Sequence, residues 1–256
     1  MRVARLLAVT WWFQLKQMTK AGLFVFTSII EPLIFATLAY YLFKAGQRPG
    51  TLLYAALSAG LMGIWTSTLF GAGGAINYQR WQGVLEPLIA SPPPYLLVLF
   101  PQTLASATIG LYSLASTLLW GRFVFGIPLT FAHPLAFAVG VAATIVALGV
   151  LGLVLGSSFI LYREANALAN MLEFPVWIVT GVIVPLSLLP GWVHWLSWVL
   201  APTWGYRAIH DGALGGNAWP GVGMALALAA VYLGIGQIFL SMFERRARER
   251  ATLSLV

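Results

Sequence analysis

Glu31 and Glu173 are two acids that fall inside long apolar runs, and each has a proline close by, in Glu31-Pro32 and Glu173-Phe174-Pro175. An ionised carboxylate at the centre of a bilayer costs about 3 kcal/mol on insertion scales, so an acid kept there has a partner or a task. The task would be a polar contact along a substrate path, or a charge pair across two subunits. The partner would be an interfacial base such as Lys20 or Arg163, reached by snorkelling. Both acids fall toward the cytoplasmic ends of their runs on the topology derived below, and that position suits snorkelling. Thr180 is a third polar candidate for a path. The chain has no cysteine, which excludes disulfides, thiolate metal sites and cysteine nucleophiles. His133, His194 and His210, with Asp211, make a poor metal set without thiolates. Ser157 and Ser158 have no nearby histidine to act as base. The lysines are Lys16, Lys20 and Lys44. A Walker A loop needs a glycine six residues before its lysine, so that backbone N–H groups and the lysine cradle the phosphates. Thr10, Gln14 and Leu38 occupy those places. The residues therefore predict no catalytic constellation, no metal and no cofactor held by this chain.

The elements that carry these residues follow from composition. Of 256 residues, 60% are hydrophobic and 8% charged, with 14 Lys+Arg against 7 Asp+Glu and a net charge of +7. A soluble domain carries about 25% charged residues, and 21 charges cannot cover a surface of this size. Soluble, disordered and nucleic-acid-binding classes are excluded on that ground. What remains is an all-α polytopic membrane protein.

Crossing the hydrocarbon takes about 20 mostly apolar residues. Gaps between charges predict six spans, over 23–43, 53–76, 96–120, 135–161, 171–189 and 222–243. The positive-inside rule orients them. With the N-terminus in the cytoplasm, the inner side collects ten basic residues, among them Arg2, Arg5, Lys16, Lys20, Arg80, Arg163 and four arginines between Arg245 and Arg250. The outer side holds Lys44, Arg48, Arg122 and Arg207. An even span count places both termini inside. The arginine-rich tail is thus a topology signal facing the anionic lipid bilayer, with no nucleic acid as partner.

Residues 2–20 repeat Val3, Leu7, Trp11, Leu15 and Met18 at helical spacing, with most of the charges off that stripe. They predict an amphipathic helix lying in the interface. Residues 190–220 are too apolar for a solvated loop and too broken for a span. Trp192, Trp195 and Trp198 recur at helical spacing, and Pro202 marks a turn at Ala201–Pro202. A re-entrant outer segment of two short pieces is expected, with an aromatic belt as a compatible role. The inner loop, 77–95, predicts a short amphipathic helix around Arg80–Ile89, ended by Pro92–Pro94.

These segments resemble the permease subunit of type-2 class ABC exporters, which include bacterial drug, polysaccharide and lipid exporters. Arg80-Trp81-Gln82-Gly83-Val84-Leu85-Glu86-Pro87-Leu88, followed by Ser91-Pro92, is similar to the family's inner-loop signature. Residues 174–185 are similar to its fifth span, and Leu189–Arg207 to its outer re-entrant segment, with Trp192, Pro202, Tyr206 and Arg207. The triple proline departs from a simpler Ser-Pro-Leu, and Glu31 and Glu173 are unusually acidic; both bear on substrate. The resemblance implies an export permease for an amphipathic or hydrophobic substrate, working as a homo- or heterodimer in a prokaryotic inner membrane. It implies two copies of a separate ABC ATPase, which carry the ATP and magnesium. Arg80, Trp81, Gln82, Gly83, Glu86, Leu88, Ser91 and Pro92 would then couple to that ATPase. A lipid-modifying membrane enzyme would instead show paired carboxylates or metal ligands at one depth, and a secondary transporter would show inverted repeats.

Overall fold

The computed structural model describes residues 2–20, 22–45, 52–91, 93–159, 165–183 and 186–250. Their regular structure is helical: α1 (Arg2–Lys20), α2 (Gly22–Ala45), α3 (Leu52–Trp81), α4 (Leu85–Ala90), α5 (Leu96–Phe125), α6 (Pro134–Phe159), α7 (Ala165–Val179), α8 (Gly191–Trp198), α9 (Ala201–Leu214) and α10 (Trp219–Arg250). A short 3-10 turn, Leu186–Leu188, precedes α8.

Four described helices are long and apolar enough to cross a membrane: α3, α5, Pro134–Ser158 of α6 and Trp219–Met242 of α10. Shorter apolar stretches occupy Ser28–Tyr41 of α2 and Ala169–Val179 of α7. The helix expected over 171–189 is the main correction. It starts earlier, at Ala165, and ends at Val179 in a turn at Gly181, whose φ is +81°. The apolar character continues past that turn, so a charge-gap reading runs through it.

α3 is the centre of the bundle. It packs against α5, α2, α6, α7 and the outer part of α9. Apolar side chains surround it because every face meets protein. Gly60 and Gly63 let it approach α5 closely: a Cβ at Gly60 would lie 2.8 Å from the Leu114 Cα, and one at Gly63 would lie 2.3 Å from the Ser113 Cβ. Small residues at helix crossings serve this purpose in membranes, where packing replaces the hydrophobic drive. α6, α9 and α10 form a second group, joined to α3 and α5 through α6.

α1 lies along α5 and α2. Leu7, Trp11, Leu15 and Met18 face the bundle, as the periodicity predicts, but Val3 of the same stripe is exposed, as are Trp12 and Phe13. Trp11 Nε1 donates to Thr108 Oγ1 of α5 at 3.3 Å. The outer segment forms two helices, as expected, but they separate at Val199–Leu200 rather than Ala201–Pro202. Pro202 instead opens α9, where a missing N–H leaves no helical bond unmade.

Candidate functional site

At 30 residues, α3 and α5 are each about 45 Å long at 1.5 Å per residue, longer than the hydrocarbon core. The surplus of α3 carries Arg80 and Trp81 out to a sharp stop. Gly83 adopts φ +68°, a left-handed conformation that glycine takes without a Cβ penalty. Its N–H bonds Arg80 O at 3.0 Å, and the Val84 N–H bonds Gln79 O at 3.0 Å. This is the Schellman pairing, and it fixes the direction in which the chain leaves α3. Arg80 and Trp81 therefore belong to α3, and the loop helix is α4 alone, a correction to the piece read over Arg80–Ile89.

Leu85 and Ile89 bury one face of α4 in the main apolar core, beside Ile76 and Leu99. Trp81, Gln82, Gly83 and Glu86 stay exposed, and Leu88 is half-buried. Ser91 Oγ closes α4 by donating to Leu88 O at 2.6 Å. Pro92 lies outside the described residues. Tyr95 then anchors the exit. Its ring is buried, its hydroxyl donates to Gln79 Oε1 at 2.5 Å, and Gln79 Nε2 donates to Gln102 Oε1 at 2.9 Å. Burial pushes the Tyr95 phenol above its usual range, outweighing the Gln79 bond and the nearby Arg80 charge, so the group stays a neutral donor. A Schellman turn on one side and a side-chain relay on the other tie α4 to α3 and α5.

Halfway along the bundle a second cluster forms. Thr66, the fifteenth of the 30 residues of α3, donates from Oγ1 to Glu173 Oε1 at 2.7 Å. Glu173 is 5% exposed, and Glu31 lies within electrostatic reach of it. One helical turn on, Phe35 and Trp177 pack edge to face at 5.3 Å between ring centres. The bond from Thr66 places Glu173 beside the middle of α3. Arg163, one of the bases offered as partner, lies outside the described residues. Sequence reasoning missed Thr66 and the meeting of the two acids, which stand 142 positions apart. Thr180 donates to Val176 O at 2.7 Å within its own helix and joins neither group.

The opposite end is built differently. Trp192, Trp195 and Trp198 of α8 are exposed, in keeping with an aromatic belt. Trp204 Nε1 donates to Trp198 O at 2.8 Å, and the Arg207 guanidinium sits 4.8 Å from the Trp204 ring centre. Tyr206 and His210 point to α3, where their rings pack on Tyr54 at 5.9 and 4.2 Å. His210 Nε2 is buried there without a hydrogen-bond partner among the described residues. Among the described residues no set of three His, Cys, Asp or Glu gathers as a metal site.

Residues 5–214 match the family described as ABC-2 type transporter. No curated protein was found to match the chain. The match takes in every helix from α1 to α9, the α4 region and both acid-bearing helices. The chain therefore belongs to the ABC-2 type transporter family as a multi-pass membrane permease.

Proposed function

We propose that this permease is the translocating subunit of an ATP-driven exporter of amphipathic or hydrophobic substrates, and that α4 receives the stroke of the ATPase. The observation that carries the reading is the fixation of α4, through the Gly83 turn and the Tyr95–Gln79–Gln102 relay, to the two longest buried helices. Permeases of this family generally pair with ABC ATPase subunits, and this chain has no lysine in a Walker A setting. We place six spans in the inner membrane of a prokaryote, α2 and α7 completing the four long helices, with both termini and α4 in the cytoplasm. Two permease copies, identical or different, and two ATPases would form the working unit, with ATP and magnesium on the ATPases.

On this reading Glu86, exposed on α4, meets the ATPase, and Arg80 and Trp81 flank the contact. The test is affinity capture from native membranes followed by reconstitution in liposomes. The expected result is a stoichiometric ATP-binding partner whose hydrolysis rises with the permease. Glu86→Lys should cut that stimulation by about tenfold, the scale for reversing one close charge at an interface. Transport by the chain alone without ATP would overturn the reading, and unchanged stimulation with Glu86→Lys would remove Glu86 from the contact.

A further inference from the structure

Between α1, the last turns of α3, α4 and α5 lies a cavity of about 880 Å³. That falls within the size range of small-molecule sites, about 300–1,000 Å³. Its walls are of two kinds. Phe13, Phe70 and Leu88 supply apolar surface, and Gly74 leaves the α3 wall open, with no atom within 4 Å of where its Cβ would stand. The polar lining comes from Lys16 and Lys20 of α1 and a group of glutamine amides. None of the lining residues is acidic. Gln14 is only 6% exposed and faces this cavity. The stripe of α1 that packs on α5 would ordinarily hold an apolar residue there.

Two cations, several amides and an apolar wall in one cleft call for a ligand with a negative head and a hydrocarbon body. We propose that the cleft binds an anionic phospholipid, its phosphate between Lys16, Lys20 and Gln14 and its acyl chain along Phe70 and Gly74. The mouth of the cleft lies beside Trp12 and Phe13, which are exposed to the surroundings of the bundle, so the lipid reaches it sideways from the bilayer. Juxtamembrane lysines are attracted to anionic lipid headgroups. The assignment to the inner leaflet rests on the orientation proposed above; the binding itself does not.

Native mass spectrometry of the purified full chain, without any ATPase, separates the two. It is incubated with palmitoyl-oleoyl phosphatidylglycerol, with the matching phosphatidylcholine, or with inorganic phosphate. One phosphatidylglycerol should stay bound per chain, with phosphatidylcholine held at least about tenfold more weakly. Lys16→Glu with Lys20→Glu should lower phosphatidylglycerol retention by about tenfold. Gly74→Leu should do the same by filling the open wall, with an unchanged melting temperature showing that the fold is intact. Equal retention of the two lipids would overturn the proposal. So would full retention by both variants, or displacement of the lipid by millimolar phosphate alone.

Discussion

The two ends of α3 close their polar groups in opposite ways. At the α4 end, Tyr95, Gln79 and Gln102 form an unbroken relay, and the turn at Gly83 pairs two backbone groups. At the α9 end, His210 Nε2 is buried without a hydrogen-bond partner among the described residues, and aromatic packing holds the elements together. A buried relay in low dielectric is directional and stiff. Ring packing is less demanding of geometry and can slide by fractions of an ångström. The contrast fits a machine that must take force at one end without slack and rearrange at the other.

The comparison can be broken in order of expected effect. Trp204→Ala at the α9 end should be the most damaging, costing about 3–5 kcal/mol, because a large buried ring cannot be replaced by collapse. A thermal melt of the purified protein would show a correspondingly large fall. Tyr95→Phe at the α4 end keeps the ring and removes one donor. It should cost about 1–3 kcal/mol by leaving the Gln79 oxygen buried and unpaired. It should also weaken ATPase stimulation more than its thermal shift alone explains. His210→Phe should stay within about 1 kcal/mol of the parent, since of the two ring nitrogens it removes the buried Nε2 has no hydrogen-bond partner among the described residues. A loss as large as that of Tyr95→Phe would mean that His210 is satisfied in the membrane and that the two ends are alike. Ser58→Ala should be smallest, within about 0.5 kcal/mol, read in the same melts.

Much of the fold is legible in the sequence, and the reason is the solvent. Hydrocarbon forbids charge, so gaps between charged residues locate α3, α5, α6 and α10 to within a few residues at most of their ends. The same rule fails where apolar sequence is not helical. The turn after Val179 is written only in Gly181, and the run around it gives no sign of a stop. The α4 region is legible as a rigid loop helix, but its true beginning depends on Gly83 rather than on amphipathicity. The relay is hidden because Gln79 belongs to α3, Gln102 to α5, and Tyr95 to the cap that opens α5. Polar residues near the ends of apolar helices are the only signal, and they also suit a solvated interface. The meeting of Glu31, Glu173 and Thr66 needs three helices to be in place, and no local pattern announces it.

The length of α3 has a mechanical consequence. One continuous helix of about 45 Å joins the Gly83 turn to the contact with His210, so it acts as a lever. A tilt of about 5° around its middle moves each tip by about 2 Å. That is enough to shift the ring contacts at Tyr54 past one another while α4 and its relay travel as one piece. Thr66 stands at the midpoint of the helix, where displacement is least, so its bond to Glu173 is little disturbed by such a tilt.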